Sequence, residues 1–293
     1  MEKSEIRLLV FGNSGQVAQE LRRLTKALGI AAQFLDRAKA DLTQPEICAE
    51  WIAKTNATCV INAAAYTAVD AAETDLHTAT LVNGAAPGAM ATAAANKNLP
   101  FLHISTDYVF DGDGVTPWTE DATPNPQTVY GQTKLDGEKA IQAAGGMYVI
   151  LRTAWVFSAF GGNFVKTMCR LGQSRSHLKV VDDQRGGPTP AADIANALMT
   201  IARRMNDGHG KPGLYHFAGT PSVSWAEFAG AIFSSQSKAP EIQPVPSSDY
   251  PTIAKRPMNS ILDCAKIARD YGIDQPDWRV GLAQVLQELE IQA

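Results

Sequence analysis

The chain has 293 residues, a formal net charge of −4 and 45% hydrophobic residues. Because the charge balance is acidic and Lys and Arg are dispersed, the composition disfavours binding to nucleic acid or to an anionic membrane through bulk charge, and leaves a local basic pocket for a phosphorylated small molecule open. Four cysteines without a CxxC pair and five histidines without an HxxxH or HExxH spacing predict neither a disulfide framework nor a transition-metal site. The N-terminus lacks the pattern of a signal peptide, and no apolar run reaches the ~18 residues of a membrane helix, which predicts a cytoplasmic protein.

Short apolar runs alternate with amphipathic patterns along the first 157 residues. Apolar runs at 6–12, 31–36, 59–65, 101–106 and 148–157 predict strands, and the patterns at 16–29, 47–55, 75–98 and 129–146 predict helices. Thr43 and Glu46 have the spacing of a capping box before the second helix, and Pro87 is expected to interrupt the third. Strands that alternate with helices in this way predict a Rossmann-type, doubly wound parallel α/β sheet.

The pattern is looser in the second half of the chain. A strand is predicted at 178–183, a turn at 184–190 and a helix at 191–205. Apolar segments at 214–219 and 224–235, a Pro-rich linker at 240–257 and two short closing helices follow. This indicates a smaller substrate domain, interleaved with the first. We therefore predict a dinucleotide-binding Rossmann domain over residues 1–157, to which some later segments return, and a mainly substrate-binding domain over residues 158–293.

The first predicted strand runs into a glycine-rich turn, GNSGQVA, that opens the first predicted helix. Gly12, Gly15 and Ala18 are small enough to let backbone N–H groups approach a pyrophosphate. The helix N-terminus adds partial positive charge, which favours phosphate. Glycines in this spacing also occur in simple tight turns, but their place between a first strand and a first helix favours dinucleotide binding.

Charged residues follow the second predicted strand, where a dinucleotide-binding fold holds the adenosine ribose. Asp36 suits the ribose hydroxyls of NAD, whereas Arg37 suits the 2′-phosphate of NADP, so the use of both cofactors is predicted. Asp41, followed by Leu42, is interpreted either as helix capping or as an adenine contact. The small residues 63–65, after the third strand, are expected to face the cofactor, with ordinary alanine packing as the alternative.

Tyr130 and Lys134 lie four residues apart in a predicted helix, so their side chains share one face. Such pairs are common on helix surfaces, but they also suit the delivery of a proton to a ketone that receives a hydride. A tyrosine with an ordinary pKa of about 10 needs a nearby cation that favours its phenolate. Ser105 and Thr106 end the fourth strand, where open sheets bind ligands. The sequence predicts Tyr130 as proton donor, Lys134 as the group that tunes it, and Thr106 as the hydroxyl that orients the carbonyl.

These residues together resemble the extended short-chain dehydrogenase/reductase family. Blocks in order along almost the whole chain resemble, within it, the dTDP-4-dehydrorhamnose reductases: FGNSGQVA, INAAAYTAVDAAE, STDYVFDG, VYGQTKLDGEKA, LRTAWVFSAFGGNFVKTM, VVDDQRGGPTPAADIA and KRPMNSILD. The resemblance implies reduction of the C4 ketone of dTDP-6-deoxy-L-lyxo-4-hexulose to dTDP-L-rhamnose with NADPH or NADH. It also allows a homodimer and a Mg²⁺ ion at a subunit contact, whose ligands the sequence does not locate.

The resemblance also implies roles for individual residues. Thr106, Asp107 and Trp155 would meet the sugar, although Trp155 also suits simple core packing. Asn163 and Arg256 are candidates for the thymidine diphosphate, with a solvated surface charge as the alternative for Arg256. Ala18 replaces a frequent third glycine, and DRAKADL departs from the usual acidic pattern, which leaves the cofactor preference open. Implied cofactor contacts are Gly15, Gln16, Val17, Ala63, Ala64 and Ala65. Tyr130 and Lys134 are also predicted to contact the cofactor, Lys134 by holding the nicotinamide ribose.

Three other functions share the fold. A nucleotide-sugar 4,6-dehydratase is disfavoured, because it would need an Asp-Glu pair after the strand-four hydroxyl where this chain has Asp107 and Tyr108. A 4-epimerase would retain its cofactor through the cycle. A regulatory subunit that binds NADP, of the kind found as the β subunit of methionine adenosyltransferase, is the alternative from another class.

Overall fold

The structure, a computed structural model, describes residues 5–234 and 239–289. The strands of the described residues are β1 Arg7–Phe11, β2 Ala31–Leu35, β3 Cys59–Asn62, β4 Phe101–Thr106, β5 Tyr148–Thr153, β6 Val156–Phe157, β7 His177–Val181, β8 Arg185–Gly186, β9 Thr189–Pro190, β10 Gly213–His216, β11 Val223–Ser224, β12 Glu241–Val245 and β13 Asn259–Ser260. Their α-helices are α1 Gln16–Ala27, α2 Pro45–Lys54, α3 Val69–Ala72, α4 Leu76–Thr80, α5 Ala86–Asn96, α6 Val129–Ala144, α7 Phe164–Gly172, α8 Ala191–Asn206, α9 Trp225–Phe233, α10 Ala265–Tyr271 and α11 Trp278–Glu288.

Six strands form one parallel sheet in the order β2-β1-β3-β4-β5-β10. The chain leaves β1 toward one edge and returns to β3 on its other side, so the order reverses between these two strands. Open α/β sheets bind ligands at the carboxyl ends of the strands at such a reversal. The Rossmann-type, doubly wound parallel sheet predicted from the sequence is confirmed.

Both faces of the sheet are covered, as the apolar strands require. Successive side chains of a strand point to opposite faces. In β1, Leu8 and Val10 belong to one buried cluster, which also contains residues of α1 and α8. Leu9 and Phe11 belong to the cluster on the other face, with residues of α2 and α5. The apolar run at 6–12 therefore acts as a strand buried on both sides.

A third apolar cluster lies outside the main sheet. Residues of α7, α9 and α11 pack there with the two-stranded sheet of β7 and β12. In contrast, β10 pairs with β5, and the buried side of α8 joins the core of the main sheet. We propose that the main sheet with β10 and α8 is the dinucleotide-binding unit and that the third cluster is the core of the substrate-binding unit. The predicted division after residue 157 stays a proposal.

Two local expectations have different outcomes. The capping box of Thr43 and Glu46 is wrong: Gln44 precedes α2 without a side-chain cap, and the hydroxyl of Thr43 donates instead to Asp41. The interruption near Pro87 is real, because a π-helical turn, Leu81–Ala85, separates α4 from α5. Within the described residues, no helix has the length and apolar character needed to span a membrane.

Candidate active site

A cavity of about 1640 Å³ lies at the carboxyl ends of β1, β3 and β4. At its floor, the turn after β1 holds Gly12 at φ +115°, and a Cβ on Gly12 would lie 3.2 Å from the backbone of Ala63. Glycine adopts this conformation without the strain that other residues would meet. Helix α1 begins at Gln16 without a side-chain cap. Among the described residues, Oδ1 of Asn13 in this turn is buried with no hydrogen-bond partner. The turn therefore forms a cradle in which the side-chain oxygen of Asn13 is available to a ligand.

The charged residues after β2 line the same cavity. Oδ1 of Asp36 accepts a hydrogen bond from the backbone of Lys39 at 3.1 Å, which ties one carboxylate oxygen into the turn. Arg37 is 79% exposed and its Nε lies 3.2 Å from Oδ2 of Asp41. The other oxygen of Asp41 accepts from Thr43, and that backbone hydrogen bond lowers the pKa of Asp41. The guanidinium of Arg37 is therefore held at the surface beside the cavity mouth.

Small residues form one wall of the cavity after β3. The backbone N–H of Ala63 donates to the carbonyl of Phe11 at 2.9 Å, which extends the pairing of β3 with β1. The backbone N–H of Ala64 donates to Oδ1 of Asn62 at 3.1 Å. Residues 63–65 all line the cavity. Their short side chains leave room for a flat ligand between β1 and β4.

The predicted catalytic residues meet on the opposite side. Helix α6 begins after Thr128, whose hydroxyl accepts from the backbone of Gly131 at 3.0 Å, and this cap places Tyr130 in the first turn. Tyr130, Thr106 and Asp107 are all buried and all line the cavity. The ring of Tyr108 meets that of Tyr130 edge-on, with 5.4 Å between centroids. The strand end and the helix start thus bring a phenol, a hydroxyl and a carboxylate together.

Burial dominates the electrostatics of these groups. It raises the pKa of the Tyr130 phenol well above the ordinary value, and a hydrogen bond with Thr106 partly offsets the rise. Burial also raises the pKa of Asp107 to about 6, against hydrogen bonds from Ser260 and Thr106. Oδ1 of Asp107 accepts from Thr106, whereas its Oδ2 has no partner among the described residues. Asp107 therefore has a carboxylate oxygen available for a ligand hydroxyl.

Lys134 is placed one turn along α6 from Tyr130, but its ammonium has other partners. Nζ donates to the carbonyl of Ile104 at 2.8 Å and lies 2.9 Å from Nε2 of His103. Lys134 is fully buried and does not line the cavity. In this structure Thr106, rather than Lys134, is the hydrogen-bonding group that lowers the pKa of Tyr130. The tuning role predicted for Lys134 stays a prediction.

Aromatic rings close the cavity toward the third cluster. Trp155 has a positive φ of 50°, which is rare for a bulky residue. Its indole stacks on Trp225, with 3.4 Å between ring centroids, and both rings line the cavity. A Cβ on Gly186 would lie 2.6 Å from the Trp155 ring, so glycine there makes room for it. Trp155 is thus part of the cavity wall and not only of a core.

The two residues predicted to bind the thymidine diphosphate differ in their position relative to the cavity. Arg256 lines the cavity, but its Nη2 lies 2.6 Å from Oδ2 of Asp70 and its Nη1 is 3.4 Å from the hydroxyl of Tyr108. Asn163 does not line the cavity. Its amide caps α7 and donates to Oε1 of Gln16 at 2.9 Å. Asn163 therefore connects α7 to the start of α1.

The cavity gathers almost every candidate site residue predicted from the sequence, whereas Ala18, Lys134 and Asn163 lie outside its lining. Trp225 and His103 were not predicted. Trp225 lies far along the chain, and nothing in SWAEFAG marks it as a partner of Trp155. His103 does leave a trace, because it is a polar residue inside the apolar strand FLHIST, three residues before Thr106. The lining residues that were predicted are Gly12, Gly15, Gln16, Val17, Asp36, Arg37, Asp41, Leu42, Ala63, Ala64, Ala65, Thr106, Asp107, Tyr130, Trp155 and Arg256.

The parallel sheet, the glycine turn at the strand reversal and the Tyr130–Lys134 helix define a protein of the extended short-chain dehydrogenase/reductase class. Comparison with known proteins narrows this class. The model of the RmlD substrate binding domain family matches residues 6–291, so the chain belongs to that family. The resemblance to dTDP-4-dehydrorhamnose reductases that the sequence blocks indicate is thereby confirmed.

Individual relatives and solved structures agree with this family assignment. The chain is 41% identical to a dTDP-4-dehydrorhamnose reductase of Burkholderia thailandensis, over 97% of this chain and 99% of the relative. It is similar to the crystal structure of a dTDP-4-dehydrorhamnose reductase from Clostridium acetobutylicum, with a TM-score of 0.91, 33% identity and coverage of 97% and 100% of the two chains. A Bacillus anthracis enzyme of the same name, in complex with NADP, gives a TM-score of 0.90 at 32% identity, over 97% of this chain and 99% of that one.

Proposed function

We propose that the protein reduces the C4 ketone of dTDP-4-dehydro-6-deoxy-L-mannose (dTDP-6-deoxy-L-lyxo-4-hexulose) to dTDP-L-rhamnose, the last step of dTDP-rhamnose biosynthesis. The observation that carries this proposal is one cavity that is lined both by the glycine turn and by Thr106, Asp107 and Tyr130. The full-length similarity to reductases of this name supports the choice of substrate.

The lining residues fit a nicotinamide dinucleotide, the cofactor present in the Bacillus anthracis relative. The cradle at Gly12 and the N-terminus of α1 would hold the diphosphate, because backbone N–H groups and partial positive charge favour it there. Asp36 and Arg37 would take the adenosine end, and residues 63–65 would lie along the dinucleotide. The reduced nicotinamide supplies the hydride.

The chain's own residues then handle charge and protons. Tyr130 donates its phenolic proton to the C4 oxygen as negative charge develops there, and the hydroxyl of Thr106 helps to orient that oxygen. The free Oδ2 of Asp107 accepts a sugar hydroxyl. The rings of Trp155 and Trp225 limit the access of water from the other side. Each of these roles suits a ketone reduction.

The direct test is a coupled assay. The purified chain is incubated with dTDP-4-keto sugar made in situ by the preceding enzymes, and loss of NADPH absorbance and formation of dTDP-L-rhamnose are followed. We expect one NADPH oxidised for each rhamnosyl product and no oxidation with dTDP-glucose, which lacks the ketone. A protein that purifies with nucleotide bound and shows no net oxidation would indicate an epimerase. No turnover, with tight co-purification of another protein, would indicate a regulatory subunit.

The cofactor preference is a separate proposal: the enzyme uses both NADPH and NADH, and Arg37 favours NADPH. We expect Arg37→Ala to raise KM for NADPH by roughly 10- to 100-fold, because a charged hydrogen bond to the 2′-phosphate contributes about 1.5–3 kcal/mol. KM for NADH should stay within about twofold, since that cofactor has no 2′-phosphate. The matched control is Lys26→Ala, which removes an exposed cation at the far end of α1. Equal effects on both cofactors would contradict the role of Arg37.

The predicted Mg²⁺ ion, homodimer and cytoplasmic location have less support. Within residues 5–234 and 239–289, no group of three or more His, Cys, Asp or Glu is placed to hold a metal ion, so these residues give the predicted Mg²⁺ no support. A homodimer and a cytoplasmic location stay predictions. The four cysteines are buried free thiols, which suits a reducing compartment.

A further inference from the structure

A buried chain of polar side chains begins at Lys134 and runs through His103 to Asn62. His103 pairs in register with Asn62 across β3 and β4, and its Nδ1 lies 3.1 Å from Nδ2 of Asn62. On the other side of the ring, Nε2 lies 2.9 Å from Nζ of Lys134. All three side chains are buried. The reduction described above gives His103 no part, so its place beside Lys134 needs an explanation.

The donors and acceptors fix the tautomer of His103. Oδ1 of Asn62 accepts from the backbone N–H of Ala64, so the amide NH₂ of Asn62 faces the imidazole. An NH₂ group only donates, and Nδ1 of His103 must therefore be the acceptor. Burial is the main cause that lowers the pKa of His103 well below its ordinary value, so the ring is neutral. Its single proton is then on Nε2, directed at Lys134.

An Nε2–H group needs a lone pair opposite it, which a neutral amine has and an ammonium lacks. The neutral form of Lys134 therefore satisfies every contact, donating to the carbonyl of Ile104 and accepting from His103. A charged Lys134 would need Nε2 of His103 as an acceptor, which moves the His103 proton to Nδ1, where it faces the NH₂ of Asn62. Rotating the Asn62 amide by 180° would remove that clash, but its NH₂ would then face the backbone N–H of Ala64. The hydrogen-bond arrangement itself thus opposes the charge on Lys134.

We propose that His103, held in one tautomer by Asn62, is a positioning residue that stabilises Lys134 as a neutral amine and makes its ammonium a stronger acid. Burial acts in the same direction and lowers the pKa of Lys134 to about 8, which Glu138 on the same helix partly opposes. The inference rests on the proposed function, because only the charged form of Lys134 favours the phenolate that Tyr130 becomes when it gives its proton to the ketone.

The test is NMR of the ¹⁵N-labelled full chain without cofactor at about pH 9, above the lowered pKa and below the ordinary lysine value of about 10.4. Long-range ¹H–¹⁵N spectra should show His103 as the Nε2–H tautomer, and the Lys134 side chain should be neutral. His216 is an internal standard, because its Nδ1 faces the carbonyl of Trp118 at 3.0 Å and must be protonated. His103→Gln identifies the His103 signals. A protonated Nδ1 on His103, or a charged Lys134, would overturn the proposal.

Asn62→Asp tests the coupling, since a carboxylate at this position accepts from Nδ1–H and reverses the tautomer. We expect the Lys134 pKa to rise by at least about one unit, a tenfold change in its acid strength. The pH above which kcat/KM for reduction falls, about 8 in the native protein because Lys134 then loses its proton, should rise by the same amount. Asn96→Asp, the same change on an exposed part of α5, should alter neither value.

An unchanged tautomer in Asn62→Asp would show that Asn62 does not hold His103, and would overturn the proposal. The NMR measurements use no substrate. A chain that fails the reductase assay but shows the expected tautomer would therefore refute the proposed function and leave the arrangement of Lys134, His103 and Asn62 intact.

Discussion

Replacement of Tyr130 by phenylalanine is expected to lower kcat for ketone reduction by roughly 10²–10⁴-fold, the usual contribution of a positioned proton donor. The phenylalanine ring keeps the packing against Tyr108 and removes only the hydroxyl. Cofactor affinity should therefore change little, because the glycine turn that would hold the diphosphate stays intact. The measurements are steady-state NADPH oxidation with the keto sugar and NADPH binding by fluorescence titration.

Tyr148→Phe is the matched control, since Tyr148 is partly buried at the start of β5 and does not line the cavity. Its kcat should stay within about twofold of the native value, as most substitutions away from special features have small effects. A Tyr130→Phe enzyme with native kcat would show that the proton reaches the C4 oxygen from another group. Loss of both turnover and cofactor binding would instead point to a disturbed fold.

Gly131→Ala is expected to have the second large effect, on stability and activity together. Gly131 follows Tyr130 in α6, and a Cβ there would lie within van der Waals overlap of the carbonyl oxygen of Tyr108 and 3.1 Å from Pro126. Backbone cannot yield as a flexible side chain does, so α6 must shift away from the end of β4. Overpacking of this kind costs about 1–3 kcal/mol of unfolding free energy. A displacement of the catalytic group by about 1 Å lowers the rate by about 10²-fold.

Urea unfolding and the coupled assay measure the two effects of Gly131→Ala. Gly230→Ala is the control, because Gly230 is exposed within α9 and a Cβ there would meet nothing within 4 Å. Alanine should stabilise that helix by about 0.5–1 kcal/mol and leave kcat unchanged. A Gly131→Ala protein with native stability and native kcat would contradict the close packing of α6 against Tyr108.

The strands were predictable because their hydrophobic pattern depends only on local sequence. In LLVF, alternate residues enter the two clusters on opposite faces of the sheet, so an unbroken apolar run is what a doubly covered strand requires. Capping at 43–46 was mispredicted for a physical reason. Thr43 and Glu46 have the right spacing, but α2 begins at Pro45, so Gln44 is the N-cap and Thr43 lies one residue before it. The spacing alone does not fix the residue at which the helix begins.

The residues of the site likewise divide into those that a local motif predicts and those whose contacts depend on tertiary packing. Gly12 and Tyr130 follow from motifs whose spacing is set by one turn or one helix. The stack of Trp155 on Trp225 joins residues 70 positions apart on different elements, and no local pattern reports it. The contact of Lys134 with His103 also depends on how α6 lies against β4. Spacing placed Lys134 near Tyr130 but did not reveal which groups share its hydrogen bonds.

The sequence by itself determined the alternation of strands and helices, the glycine turn and the Tyr130–Lys134 spacing, because each depends on interactions within a few residues along the chain. Tertiary structure alone decided which side chains share the buried hydrogen bonds and rings of the cavity. Partners such as Asn62, His103 and Lys134 come from three separate elements, and only the packing of those elements brings their donors and acceptors within about 3 Å of each other.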